Sequence, residues 1–308
     1  MIKLLIVSGK AQACNLFRYF QIEEFKMTFR DRVTLRDSMK GIVEDPLLPL
    51  VPKRFDYIGD IAVISIPAEL EHYREAIVSN ILSMRGNTRA VLNKVSKLEG
   101  ERRVAHFELL SGESAETFHR ENGYTYRMDV RKVFFNPRLY WERARVASKV
   151  LPGESILIPF AGVGPFVFPS AGKGATAFAI EINPDACICL KENVRLNKLE
   201  KKVSIIQGDA KLILRNLTSL ETEDFHIPEN GFDRAIVPTP YGMDHFLGMV
   251  SEHVKKGGYI HFYTFKTESQ VPELVEEYKK MGLEVEFYRR TGNVAPGVSR
   301  WVFDLIKK

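Results

Sequence analysis

Cysteine is scarce in this chain, with three residues among 308. No pair of them has the C-x-x-C spacing of a zinc or redox site. Cys187 and Cys189 lie in a predicted helix, where residues two apart point to different faces, so we interpret them as small apolar residues. A disulfide framework and an iron–sulfur cluster are therefore not expected.

Long hydrophobic runs are absent as well. No stretch approaches the roughly 20 apolar residues that a transmembrane helix needs, so we expect no membrane association. Residues 1–7 contain one lysine and a short apolar run, without the length or the small-residue cleavage site of a secretory signal. We interpret them as the first β-strand of a cytoplasmic protein.

An extreme charge is also missing, since the net charge is +5. The basic side chains are unevenly spread, however, and residues 117–150 contain eight of them against three acidic ones. A local basic surface favours a polyanionic partner such as RNA, and an exposed face with scattered ion pairs is the alternative interpretation.

The pattern along the chain changes twice, which predicts two domains after a short leading piece. Residues 1–53 are irregular and proline-containing, and we interpret them as an N-terminal element and linker. Residues 54–130 predict a small α+β domain, with a strand at 61–66 and a helix at 69–84. Residues 131–308 alternate between strands and helices, which is typical of a parallel sheet covered on both faces.

The elements of the second domain can be placed individually. Its strands are predicted at 155–159, 176–181, 203–207, 234–237, 259–265, 284–288 and 301–306. Its helices are predicted at 137–150, 165–171, 184–196 and 242–254. The last strands follow one another at short spacing, which indicates an antiparallel strand at the end of the sheet.

A glycine turn follows the first strand of this domain. Ala161-Gly-Val-Gly164 comes directly after Phe160, and its glycines allow the backbone to approach a ligand. Glu181 ends the second strand, where a carboxylate can accept hydrogen bonds from two ribose hydroxyls. Asp209 follows the third strand, where it can reach an adenine amine. Together they predict a site for S-adenosylmethionine (AdoMet).

A dinucleotide-binding loop is the rival interpretation of this turn. Its fingerprint requires a third glycine three residues after Gly164, where this chain has Val167. The intervening Pro165-Phe166 pair also crowds the helix start that a pyrophosphate would approach. The two acids have simpler explanations too, Glu181 as a surface carboxylate and Asp209 as a helix cap.

Several segments together give the chain a family resemblance. They are His119-Arg-Glu-Asn-Gly123, Asp129-Val-Arg-Lys-Val-Phe-Phe-Asn-Pro-Arg138 with Glu142-Arg143, Phe160-Ala-Gly-Val-Gly-Pro-Phe166, Ile58-Gly-Asp-Ile-Ala-Val63 and His261-Phe-Tyr263. In order and spacing they resemble the archaeal and eukaryotic tRNA guanine-37 N1-methyltransferases and their wyosine-pathway relatives, from about residue 54 onward. The resemblance implies an α/β fold, a class I AdoMet-dependent, Rossmann-like domain with a smaller N-terminal α+β RNA-binding domain.

The resemblance also implies roles for individual residues. Glu142 matches the family's candidate general base, and Arg103 matches the arginine that holds the target guanine. No metal ion is implied. The residues that match the family's cofactor pocket are Phe135, Phe160, Gly162, Gly164, Glu181 and Asp209.

The chemistry of the implied reaction suits these residue types. Guanine N1 carries a proton and becomes a good nucleophile only when that proton leaves, so a carboxylate such as Glu142 can act as the base. The charge that develops on O6 would be stabilised by a cation such as Arg103. Simpler explanations stay open: a helical ion pair between Glu142 and Arg145, and a surface position for Arg103.

Two positions depart from the family pattern. An aspartate usually precedes the phenylalanine of the glycine turn by two residues, and this chain has Ile158 there. Many members carry Asn-x-Pro after the fourth strand, whereas Pro238 takes the asparagine position here and offers no side-chain donor or acceptor. A subset of archaeal members shares this Pro-Thr-Pro variant, so we expect Thr239, Tyr241 and backbone carbonyls to contact the base. The N-terminal piece is also shorter than the family's first domain.

We therefore expect an AdoMet-dependent tRNA methyltransferase that acts on guanosine 37. Its expected partner is the anticodon stem-loop, with no protein partner, and the protein is expected to be a cytoplasmic monomer. Whether a tricyclic wyosine intermediate is a further substrate stays open. Three alternatives remain, namely aminocarboxypropyl transfer to the same position, a non-catalytic AdoMet-fold RNA-binding protein, and a small-molecule methyltransferase.

Overall fold

The computed structural model describes residues 33–96, 105–217 and 227–308. The first strand predicted at residues 1–7 lies outside these ranges. The strands of the described residues are β1 (Asp56–Ile58), β2 (Ile61–Ile64), β3 (Ala90–Lys94), β4 (Phe107–Ser111), β5 (Glu116–Glu121), β6 (Tyr124–Asp129), β7 (Ser155–Pro159), β8 (Thr176–Glu181), β9 (Val203–Gln207), β10 (Phe232–Val237), β11 (Val254–Lys266), β12 (Leu283–Ala295) and β13 (Val298–Lys307).

Helices connect these strands. The α-helices of the described residues are α1 (Leu35–Ser38), α2 (Arg74–Met84), α3 (Tyr140–Ser148), α4 (Val167–Ala171), α5 (Pro184–Leu196), α6 (Ala210–Arg215), α7 (Phe246–Glu252) and α8 (Val271–Lys280). Short 3₁₀ turns lie at Leu48–Leu50, Ala68–Tyr73, Pro137–Leu139 and Glu268–Gln270. None of these helices combines the length and the apolar character needed to cross a bilayer.

The N-terminal sheet has the strand order β1-β2-β3-β4. Strands β2 and β3 run parallel because α2 lies between them in the chain, and the other neighbouring strands are antiparallel. Helix α2 buries Ile77 and Ile81, which lie one turn apart on one face. The helix predicted at 69–84 begins as the 3₁₀ turn Ala68–Tyr73 and becomes α-helical at Arg74.

Strands β5 and β6 form a separate antiparallel hairpin that packs on α5. Its tight turn is Asn122-Gly123, with φ angles of 50° and 83°, which suits the right-handed twist of a two-residue hairpin. The amide of Arg127 donates to Oδ1 of Asn193 (2.7 Å), and Nδ2 of Asn193 donates to the Arg127 carbonyl (3.1 Å). The domain boundaries at residues 53 and 130 stay predictions.

The larger sheet has the order β12-β13-β11-β10-β7-β8-β9. Strands β7 to β11 run parallel to one another, and β13 is antiparallel to both β11 and β12. The predicted α/β class and the antiparallel strand at the end are thus confirmed. The predicted bounds of β7, β8, β9 and α5 match the structure, whereas α6 and α8 were not predicted.

Strand β7 lies between β10 and β8 in this sheet and is buried on both faces. Ile156 and Ile158 pack into the core on one side, Leu157 packs into the core on the other, and all three are fully buried. Position 158, where the family usually has aspartate, is therefore a core position in this chain. An unpaired carboxylate there would be costly, which explains an isoleucine at this point.

Candidate active site

The glycine turn after β7 contains two glycines with different structural roles. Gly162 has a φ of 56°, and a Cβ added there would meet no atom closer than the carbonyl oxygen of Phe134, at 3.9 Å. Gly164 has a φ of 97°, and a Cβ there would lie 2.4 Å from the Phe168 ring and 2.8 Å from Leu190. The second glycine therefore lets the turn pack on α4 and α5, and the first leaves space beside the turn.

Glu181, the last residue of β8, fastens this turn to the next strand. Its carboxylate accepts hydrogen bonds from the amides of Gly162 (2.7 Å) and Asn183 (2.8 Å). Burial raises the pKa of Glu181, and the backbone hydrogen bonds oppose that rise. Each carboxylate oxygen still has a lone pair, so Glu181 can accept two further hydrogen bonds.

A cavity lies beside the turn, at the carboxyl ends of β7, β8 and β10. Its walls are mainly apolar, and the charged residues that border it among the described residues are Glu181 and Arg300. The walls include Phe134, Phe160, Gly162, Glu181, Pro238, Tyr263, Phe265 and Arg300. An open glycine wall, a buried carboxylate with spare acceptors and aromatic surfaces fit the ribose and the flat base of a nucleoside such as the one in AdoMet.

The structure brings some of the predicted cofactor residues together and leaves others outside. Phe160, Gly162 and Glu181 border the cavity together with Pro238. Phe135, Gly164 and Asp209 are not among the described residues that border the cavity. Phe135 instead borders the neighbouring cleft, and its ring lies 5.0 Å from the Arg143 guanidinium.

Asp209 acts as a helix cap, the simpler of the two roles that the sequence indicated for it. It is the N-cap of α6, and its Oδ1 accepts a hydrogen bond from the amide of Lys211 at 2.8 Å. Such a cap satisfies one of the amides that a helix start leaves without an intrahelical partner.

Glu142 lies in the first turn of α3 and is 3% exposed. Its carboxylate accepts hydrogen bonds from Arg145 (2.7 Å), from the Tyr263 hydroxyl (2.9 Å) and from Arg289. Burial alone would raise the pKa of Glu142, but these hydrogen bonds and the charge of Arg145 outweigh burial and hold the pKa below its usual range. Glu142 is therefore an ionised, buried carboxylate at neutral pH.

A buried chain of polar groups continues from Glu142 through the sheet. Arg145 also donates to Asp304 (2.6 Å), and Asp304 lies 2.6 Å from Nδ1 of His261. Nε2 of His261 lies 2.8 Å from Arg234 Nη1, and because an arginine can only donate, the imidazole is neutral and carries its proton on Nδ1. Burial lowers the pKa of His261, which favours this neutral form.

The remaining predicted catalytic residues are spread around the cavity mouth. Pro238 borders the cavity, whereas Tyr241 is 57% exposed and borders the adjoining cleft. The Tyr241 ring lies 5.4 Å from that of Phe265. Arg103 falls outside the described residues.

The adjoining cleft lies between the N-terminal sheet and the β12–β13 hairpin, with a volume of about 1000 Å³. Phe134, Phe265 and Arg300 border both the cleft and the cavity, so the two spaces adjoin one another. Four basic residues border the cleft, and one acidic residue does: Arg54, Lys94, Arg138, Arg300 and Asp56. This excess of positive charge suits an anionic ligand.

Several residues of this region were missed by sequence reasoning. Tyr263 lies near the carboxyl end of β11, and the rule that ligands bind beyond such ends would have indicated it. Arg289 and Arg300 lie on antiparallel strands paired with irregular register, which leaves no periodic signal.

Comparisons with known proteins agree with this geometry. Residues 117–287 match the family model described as the TRM5/TYW2 methyltransferase domain, and residues 35–115 match the one described as the TYW2 N-terminal domain. The chain is 38% identical over 258 residues to tRNA (guanine(37)-N(1))-methyltransferase Trm5b of Pyrococcus abyssi, covering 81% of this chain and 73% of that protein.

Other relatives come from a neighbouring branch. The chain is 32% identical over 279 residues to tRNA(Phe) (4-demethylwyosine(37)-C(7)) aminocarboxypropyltransferase of Pyrococcus horikoshii, covering 88% of this chain and 95% of that protein. Among solved structures, the complex of aTrm5 and tRNALeu matches with a TM-score of 0.77 and 30% identity, over 89% of this chain and 78% of that one. P. horikoshii TYW2 in complex with MeSAdo matches with a TM-score of 0.68 and 30% identity, over 88% and 97%.

Proposed function

This chain belongs to the TRM5/TYW2 methyltransferase family, and from that premise we propose that it is an AdoMet-dependent tRNA methyltransferase acting at N1 of guanosine 37. The observation that carries the proposal is that two adjoining spaces, the cavity on the glycine turn and the basic cleft, share the bordering residues Phe134, Phe265 and Arg300. A cofactor in the first and an RNA loop in the second would be neighbours at these residues, and such positioning supplies much of the rate of a bimolecular transfer.

AdoMet, when bound, supplies a methyl group that is electrophilic because a sulfonium carries it. Glu181 would accept hydrogen bonds from ribose hydroxyls, and Gly162 would leave room for the ligand beside the turn. Phe160 would contribute an aromatic wall. Phe135, Gly164 and Asp209 would support the pocket from outside its walls, Gly164 through the packing of the turn on α4.

On the substrate side, we assign Glu142 as the final acceptor of the guanine N1 proton, because it is a buried carboxylate that is ionised at neutral pH. Arg103 would face the guanine O6 atom, as its family position implies. Pro238 and Tyr241 would border the base through a backbone carbonyl and an aromatic ring. The target base has to leave its stack to reach the cavity, which is easier for a loop nucleotide than for a paired one.

The proposal includes the anticodon stem-loop of tRNA as the partner, with a monomeric enzyme in the cytoplasm. It also keeps the domain division into residues 1–53, 54–130 and 131–308. The basic residues of the cleft would contact RNA phosphates, so tRNA affinity should fall steeply with salt concentration.

The test is incubation of the purified chain with methyl-labelled AdoMet and unmodified tRNA, followed by mass spectrometry of the nucleosides. We expect N1-methylguanosine in tRNA with guanosine at position 37, and none when that nucleotide is adenosine. Methylation that survives this change, or none with any tRNA, would contradict the proposal. Aminocarboxypropyl transfer, the activity named for the P. horikoshii relative, would give a far heavier nucleoside.

Replacing Glu142 with glutamine tests the base assignment. The variant keeps nearly the same shape but has no carboxylate, so kcat should fall by about 10²–10⁴-fold. The affinity for AdoMet, measured by calorimetry, should stay unchanged, since Glu142 does not border the cavity among the described residues. Full activity in this variant would exclude Glu142 as the base.

A further inference from the structure

Glu142 is separated from the cavity in which the target base would be methylated. Its side chain is 3% exposed, and it is not among the described residues that border the cavity. Tyr263 does border the cavity and also contacts Glu142. Tyr263 therefore connects the cavity to the carboxylate, and a proton can pass between them through its hydroxyl.

Tyr263 is well placed to carry such a proton. It lies on β11, its ring packs 5.4 Å from that of Phe166 in the glycine turn, and its hydroxyl donates to Glu142 Oε1 at 2.9 Å. A phenol oxygen that donates one hydrogen bond keeps lone pairs that can accept another. The hydroxyl thus donates its own proton toward Glu142, and its remaining lone pairs can receive another proton.

Resting on the proposed methyl transfer, we propose that Tyr263 relays the guanine N1 proton to Glu142. As the bond between N1 and the methyl carbon forms, the bond from that carbon to sulfur breaks and its electron pair goes to sulfur. The N1 proton passes to the Tyr263 oxygen, and the original hydroxyl proton passes to Glu142 Oε1. The tyrosine ends the step neutral, Glu142 ends it protonated, and no further reactant is needed.

The charged surroundings keep both groups in the required starting forms. Arg145 of α3 and Arg289 of β12 donate to Glu142, and Asp304 of β13 pairs with Arg145. Burial alone would raise the pKa of Glu142, but the hydrogen bonds from Arg145 and Arg289 and the charge of Arg145 lower it. Burial, together with the Glu142 charge, raises the pKa of Tyr263 well above its ordinary value. The acceptor is therefore ionised and the relay hydroxyl protonated at neutral pH.

The test compares Tyr263→Phe with the matched control Tyr278→Phe. Tyr278 is 3% exposed in α8, packs against Phe303, and lies outside the cavity walls among the described residues. Under single-turnover conditions, methyl transfer should slow by about 10²-fold or more in Tyr263→Phe and stay unchanged in the control. Calorimetry should give wild-type AdoMet affinity for both variants.

A second measurement separates a relay from a packing role. In mixtures of light and heavy water, the wild-type rate should curve with deuterium fraction because two protons move, and the residual rate of Tyr263→Phe should not. The double variant Tyr263→Phe/Glu142→Gln should be no slower than the slower single variant, because residues acting in series are not additive.

The outcomes separate this inference from the proposed function. Wild-type rates in Tyr263→Phe, or a straight dependence on deuterium fraction in the wild type, would overturn the relay alone. The wild-type measurement decides the question even if Tyr263→Phe does not fold. An absence of N1-methylguanosine with the wild type would overturn the function itself.

Discussion

Replacing Gly164 with alanine should destabilise the protein strongly, and the structure gives the magnitude. The added Cβ would lie 2.4 Å from the Phe168 ring and 2.8 Å from Leu190, and the residue has a φ of 97°. Left-handed strain costs about 1–2 kcal/mol. Overpacking of a closed core costs about 1–3 kcal/mol. We therefore expect a loss of about 2–5 kcal/mol in the free energy of unfolding, a large part of a typical total of about 5–15 kcal/mol.

Gly162→Ala is the matched control in the same turn. Its φ is 56°, so it has comparable strain, but its Cβ would meet nothing within 3.9 Å. We expect a loss of about 1–2 kcal/mol in stability and a clear loss of AdoMet affinity, because the new methyl group would occupy the cavity side. Urea unfolding without cofactor measures the first quantity, and calorimetry measures the second. If Gly164→Ala were no less stable than Gly162→Ala, the assignment of Gly164 to packing would be refuted.

Three further predictions follow from buried groups. The pKa of Asp304 is lowered in the folded state, so its stabilising contribution is complete above its unfolded pKa of about 4 and is lost as pH falls further. In acid unfolding curves, the stability advantage of wild type over Asp304→Asn should therefore shrink below that pH. A constant difference in stability would contradict this. The buried Tyr126 hydroxyl has no hydrogen-bond partner among the described residues, so Tyr126→Phe should gain about 1 kcal/mol in urea unfolding, and a clear loss would indicate a contact with the rest of the chain. Arg289→Ala removes a donor that lowers the pKa of Glu142, so the acid limb of the single-turnover pH profile should move to higher pH, whereas an unmoved limb would separate Arg289 from the base.

Three strands of the larger sheet could be predicted from sequence because their apolar side chains leave a local pattern. β7, β8 and β9 are runs of β-branched and other apolar residues bounded by glycine, proline or charged residues, and their predicted bounds match the structure. Helix α6 has only six residues, too few for a helical period to stand out. Strand β12 has three register shifts against β13, so its alternation is broken and only its first half was predicted.

The residues of the candidate site show the same difference between local patterns, which could be predicted, and long-range contacts, which could not. The turn at Gly162, the acid at Glu181 and the Glu142–Arg145 pair depend on fixed spacing within one segment, and sequence reasoning found them. The partners of Glu142 from distant segments, Tyr263 and Arg289, depend on which strands are neighbours and in which register. A spacing pattern does not contain that information.

The order of the last three strands explains how a buried carboxylate can be kept ionised near the cavity. β13 lies between β11 and β12, so residues from three strands meet above α3. β11 contributes Tyr263, β12 contributes Arg289, and β13 contributes Asp304, which holds Arg145 against Glu142. A strong pairing lowers the basicity of a carboxylate, and a base works best with a pKa near the working pH. The pairing therefore makes Glu142 a weaker base, but it fixes the position of the carboxylate and keeps it ionised. These properties suit an acceptor that receives its proton through the Tyr263 hydroxyl, which lies 2.9 Å away.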